Sequence, residues 1–117
     1  MRLKSEFWVK AYLRRCAREG TDAVLARRGD RDAGAIYIKV SRLDGTAALF
    51  GPAPAGLDRD DDERRWQPSL GSAAVAEKDV DAYLARQIDF DPDLWLVSVE
   101  DRNGRHFLDA WLLQQSG

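Results

Sequence analysis

Residues 33–54, AGAIYIKVSRLDGTAALFGPAP, decide how the chain folds. Ile36, Ile38 and Val40 alternate with Tyr37, Lys39 and Ser41. That is the period of a strand with one buried face. Asp44-Gly45 follows, a dipeptide suited to a two-residue type I′ turn, whose central residues both need positive φ. Such a turn sets Val40 opposite Leu49, Lys39 opposite Phe50 and Arg42 opposite Ala47. Ile36, Ile38, Val40, Ala47 and Leu49 then share one face, and a one-residue slip would turn the set into water.

Upstream, Thr21–Arg27 is short and apolar in the middle. Paired with Ala35–Ser41 and followed by Thr46–Phe50, it completes a three-stranded antiparallel meander. Further upstream, Ser5–Glu19 has helical periodicity, with Ser5 as N-cap and Gly20 at the C′ position. Trp8, Val9, Tyr12, Leu13 and Cys16 form its apolar face. Lys10, Arg14 and Arg18 fall at i, i+4 and i+8 on the other side, flanked by Arg15.

Downstream, the acidic run Leu57–Glu63 reads as a solvated loop. Arg64–Pro68 reads as a short edge strand, because Pro68 cannot donate to a ladder. Ala76–Ile88 carries the stripe Val80, Tyr83, Leu84 and Ile88 of a second helix, which Asp91-Pro92 stops. Leu94–Glu100, LWLVSVE, is apolar enough for a central strand. Asn103-Gly104 signals a second hairpin, setting Asp101 opposite His106 and Val99 opposite Leu108. Residues 107–114 fit either a strand or a helix. The reading taken is a strand to about Asp109 and then a short helical tail. The expected fold is α+β: an antiparallel sheet, meander plus C-terminal hairpin, packed against two helices in a single domain over residues 1–117.

Composition narrows the function classes. The 117 residues include 44 % hydrophobic and 32 % charged side chains, ordinary for a globular protein. No apolar run reaches the length of a membrane span, and the N-terminus lacks the h-region of a signal peptide. Cys16 is the only cysteine, which excludes an internal disulfide and suits a reducing cytoplasm. On the helix's apolar face it reads as a small core hydrophobe. The net charge of −2 gives no general pull toward nucleic acid. Its distribution is uneven, however. Residues 1–20 hold six Lys/Arg against two Asp/Glu, whereas residues 58–101 hold five against thirteen.

The segments RLKSEFWVKAYLRRC, GAIYIKVSRLDG with LFGPAP, ERRW, and DVDAYLARQIDFDPDLWLVSVEDR with GRHFL cover nearly the full length. Through them the chain resembles a group of short, mostly alphaproteobacterial proteins, the domain-of-unknown-function family 1491. The resemblance implies a cytoplasmic bacterial domain. It implies no activity, cofactor or catalytic residue.

Chemistry-bearing residues are few. Asp89, Asp91, Asp93 and Glu100 match positions 1, 3, 5 and 12 of a calcium loop, but Leu94 stands where the sharp turn needs glycine. They read as a helix stop and a turn. His106 is the only histidine, and no nucleophile motif or metal-ligand spacing accompanies it. It reads as a cross-strand partner of Asp101. No glycine pattern matches a nucleotide fingerprint, so no cofactor or metal is expected. Arg64, Arg65 and Trp66 could bind an anion and stack on a base. Against that stands an edge strand with Trp66 in the core and the arginines paired to Asp60–Asp62.

The favoured function is a non-catalytic interaction module. Its binding residues are Lys10, Arg14, Arg15 and Arg18 on the basic helix face, with Arg65 and Trp66. Its partner is an anionic protein, or a second copy joined through a sheet edge or a Phe50/Tyr37 face. The alternatives are a small enzyme with its site around Arg65, Trp66 and His106, or a weak nucleic-acid binder.

Overall fold

The computed structural model describes residues 3–54, 64–71 and 73–112. The elements are α1 (Ser5–Arg18), β1 (Asp22–Arg27), β2 (Ile36–Ser41), β3 (Thr46–Pro52), β4 (Trp66–Pro68), β5 (Val75–Ala76), α2 (Glu77–Phe90) and β6 (Trp95–Glu100). A 3₁₀ turn, Asp109–Trp111, follows. The fold is α+β. Its mixed sheet runs in the order β1-β6-β2-β3-β4, with β5 also paired to β3. Among the described strands, β2 and β6 pair in parallel and the other strand pairs are antiparallel.

The meander expected from β1, β2 and β3 does not form. β6 inserts between β1 and β2. Its apolar residues can be buried on both sides only in the middle of a covered sheet. The connection from β1 to β2 must therefore cross the start of β6, and two glycines let it do so. A Cβ on Gly29 would lie 2.2 Å from the Asp93 carbonyl oxygen, and one on Gly34 would lie 2.4 Å from it. The Asp30 amide donates to that carbonyl, and the Trp95 indole donates to the Asp30 carbonyl.

The β2–β3 hairpin forms, but one residue out of the expected register. Ile38 faces Phe50, Lys39 faces Leu49 and Val40 faces Ala48. The loop holds three residues, with Leu43 at φ 64° and Gly45 at φ 88°. The Asp44 carboxylate accepts bonds from the amide and hydroxyl of Thr46 and so closes it. The shift moves Ala47 and Leu49 to the opposite face from Ile36, Ile38 and Val40. That face is not in water, because α2 covers it. Ala47 and Leu49 pack with Val80 and Leu84, flanked by Tyr37, Leu96 and Val75. Ile36, Ile38, Val40, Phe50, Val97 and Val99 pack with Trp8, Val9, Tyr12 and Cys16 of α1. One helix thus covers each face. Phe50 and Tyr37 lie on opposite faces and Phe50 is buried, so they form no common exposed surface.

The expected C-terminal hairpin is also absent. Asp101 folds the chain back instead. Its carboxylate accepts a bond from the Arg105 amide and holds the Arg105 guanidinium through both oxygens. The chain then crosses the α1 side of the sheet, burying Phe107 and Leu108, and Leu112 bridges to Trp66. Residues 109–111 are the helical part of the ambiguous tail, and residues 113–114 lie outside the described residues.

Candidate binding face of helix α1

The start of α1 is held by the β1–β2 connection. The Ser5 and Glu6 amides donate to the carbonyls of Asp32 and Arg31. These loop carbonyls occupy donors that a capping side chain would otherwise take. Lys4, not Ser5, is the N-cap residue. Ser5 is the first helical residue, with its buried hydroxyl donating to the Gly34 carbonyl. At the other end Gly20 has φ 74°, as its C′ position requires.

Trp8, Val9, Tyr12 and Cys16 point into the core, leaving Lys10, Arg14, Arg15 and Arg18 exposed. Lys10 pairs with Glu6 at 3.2 Å, and Arg15 with Glu19 at 3.7 Å. Glu6 also meets Arg28 at 2.9 Å and Arg31 at 3.3 Å. Its hydrogen bond with Lys10, together with that from Arg28, holds this carboxyl below the ordinary range. Arg14 and Arg18 have no ion pair or hydrogen bond among the described residues. Arg15 and Arg18 also meet the negative end of the helix, where cations are stabilising. Arg14 lies further from that end.

Two apolar side chains share this outer surface. Leu3 is 54 % exposed and Phe7 57 % exposed. Phe7 lines a depression with Lys4, Glu6, Arg31 and Asp32, whereas Leu3 lines a separate cleft of about 200 Å³ together with Trp8, Ala11, Tyr12, Arg15, Arg18 and Trp111. Trp8 forms its floor by stacking on Tyr12 at 5.1 Å and meeting Trp111 edge-on at 5.8 Å.

The C-terminal segment supplies the cleft's other wall and fixes its position. Tyr12 donates its hydroxyl to the His106 carbonyl at 2.7 Å. Phe107 has φ 57° and sits between the guanidinium groups of Arg15, 5.3 Å away, and Arg105, 5.5 Å away. This left-handed backbone is uncommon for an aromatic residue, and packing holds it there. The Asp101–Arg105 pair, which lowers the pKa of the Asp101 carboxyl, fixes the bend before it.

The other candidates are used within the fold. Trp66 is 1 % exposed, lies 4.3 Å from Trp8 and donates its indole N–H to the Ile36 carbonyl. Its face is therefore withdrawn from any surface. Arg64 donates to the Leu3 carbonyl and the Ser5 hydroxyl, while Arg65 donates to the Arg64 carbonyl. Their expected partners Asp60–Asp62 lie outside the described residues. His106 does not pair with Asp101. Its ring packs on Phe50, its Nδ1 accepts the Leu108 amide, and its Nε2 lies 4.0 Å from Asp109. Burial pushes the imidazole pKa down against the pull of Asp109. Burial likewise pushes the Cys16 thiol up, away from the thiolate a nucleophile needs.

Sequence reasoning found the basic residues but missed Phe7 and Trp111. Phe7 precedes Trp8 and so falls outside the apolar stripe, a signal available in the helical spacing. Trp111 reaches α1 only through the Asp101 bend, which no local pattern announces.

Fold and face together describe a small α+β protein with an open, cationic, aromatic cleft. The chain belongs to the family described as "Protein of unknown function (DUF1491)", whose model matches residues 3–109. It is similar to the crystal structure of a DUF1491 family protein from Caulobacter crescentus CB15, with 41 % identity and a TM-score of 0.79. That match covers 97 % of this chain and 100 % of the other. It is also similar to a solution structure from A. tumefaciens, with 36 % identity, a TM-score of 0.79, and 99 % of this chain and 98 % of that one covered. No curated protein matches the chain. No helix among the described residues is long and apolar enough to cross a membrane.

Proposed function

We propose that this protein is a non-catalytic binding module whose α1 face docks an acidic protein segment carrying a large apolar side chain. One observation carries the reading. Arg18, without an ion pair among the described residues, lines an aromatic-floored cleft together with exposed Leu3 and Arg15, and Arg14, equally unpaired, is exposed one helical turn before it. The acidic helix α2 packs on the opposite face of the sheet, so its carboxylates do not answer these arginines. An apolar anchor in a pocket rimmed by charge is the usual anatomy of a binding hot spot. We place the module in the cytoplasm, where its one buried thiol stays reduced.

The test is calorimetric titration with a synthetic Asp/Glu-rich peptide containing one phenylalanine. Wild type binds it, and more weakly as salt rises. The exposed double substitution Arg14→Glu/Arg18→Glu keeps the fold and loses about tenfold or more in affinity. Equal binding by the double variant, or tighter binding to an oligonucleotide than to the peptide, would refute the reading.

A further inference from the structure

The acidic segment that suits the α1 cleft is present in the chain itself. Phe90, the last residue of α2, is 90 % exposed. Asp89 and Asp91 flank it, and Asp93 follows in the turn. The Asp91 carboxylate accepts the Asp93 amide and so closes the turn, but local stability does not explain Phe90 or Asp89. An exposed phenylalanine gains nothing from burial, and Asp89 adds negative charge at the negative end of a helix whose last turn holds no basic residue. The segment has the shape and charge of a ligand: one aromatic ring projecting between carboxylates.

The α1 cleft is its complement. An apolar cavity of roughly 150 Å³ holds a benzene ring, and this cleft has about 200 Å³, floored by Trp8 and Tyr12 and rimmed by Arg15 and Arg18. We propose that the Phe90 knob of one copy inserts into the α1 cleft of a second, with Asp89 and Asp91 facing Arg15 and Arg18. This deepens the binding-face reading and rests on it. Knob and cleft are different patches, carried by helices on opposite sides of the sheet. The contact is therefore head-to-tail, and a pair of copies keeps one free knob on one copy and one free cleft on the other for further copies.

Sedimentation over a concentration series reads the result. Wild type grows in mass beyond a dimer as concentration rises. Phe90→Ser, whose cleft is intact, and Arg15→Glu/Arg18→Glu, whose knob is intact, each remain monomeric. Mixed together, these two variants form a one-to-one pair and nothing larger, because only one knob and one cleft survive between them. Unchanged self-association of Phe90→Ser, or a mixture that stays monomeric, would overturn the proposal. A wild type that stays monomeric yet binds the acidic peptide would refute self-pairing while leaving the binding-face reading intact. If wild type binds neither itself nor the peptide, both fail.

Discussion

At the scale of single residues, His106 gives the sharpest expectation. Burial favours its neutral form, so its folded pKa lies below the ordinary 6.5. A depressed histidine contributes stability that is complete above the unfolded value and is lost as pH falls through the folded value. Unfolding midpoints should therefore drop as the buffer is acidified below pH 6.5, and His106→Asn should flatten that slope. NMR titration should place the imidazole below 6.5, and Asp101→Asn should leave it there, because Asp101 holds Arg105 instead. A histidine pKa that moves with Asp101 would restore the cross-strand pairing that Asn103-Gly104 suggested. Trp8 is the second case. Its indole is buried between Tyr12, Trp66 and Trp111, so Trp8→Ala should cost about 3–5 kcal/mol in denaturant unfolding. A loss under about 1 kcal/mol would mean that the aromatic floor is not packed as described.

At the scale of elements, both glycine-containing turns tested the reach of local sequence. Alternation in β2 and β3 was legible, and so was the turn between them. Its length was not, because Leu43 takes a positive φ that no local rule assigns to leucine. One extra loop residue reversed the faces of Ala47 and Leu49, and α2 made that reversal harmless by covering the second face. β6 was legible as a central strand from its unbroken apolar run. Its insertion between β1 and β2 was not, since that is a long-range choice. The local trace it leaves is Gly29 and Gly34, whose missing side chains admit the Asp93 carbonyl. Substituting Ala at Gly29 forces backbone against backbone and should destabilise the protein by about 1–3 kcal/mol or more. Gly45→Ala has open space around it and should cost only its backbone strain, about 1–2 kcal/mol. Thermal melts of the two variants side by side would separate these causes. A Gly29 variant no worse than the Gly45 variant would contradict the crossing of β6.

At the scale of the whole molecule, charge follows architecture. The basic helix α1 and the acidic helix α2 lie on opposite faces of one sheet, so among the described residues these two helices give the two faces opposite charge. The basic stripe was readable from spacing alone. The cleft beside it was not, because it joins residues 3–18 to Trp111 through a bend set by Asp101 and Arg105. The central claim, that this cleft is the binding face, is tested most directly by the four tryptophan indole N–H signals during titration with the acidic, phenylalanine-bearing peptide. Trp95 donates to the Asp30 carbonyl away from the cleft and Trp66 lies buried behind Trp8, whereas Trp111 and Trp8 line it. The account predicts saturable shifts at Trp111 and Trp8 with Trp95 nearly still. Binding that leaves Trp111 unmoved would contradict it.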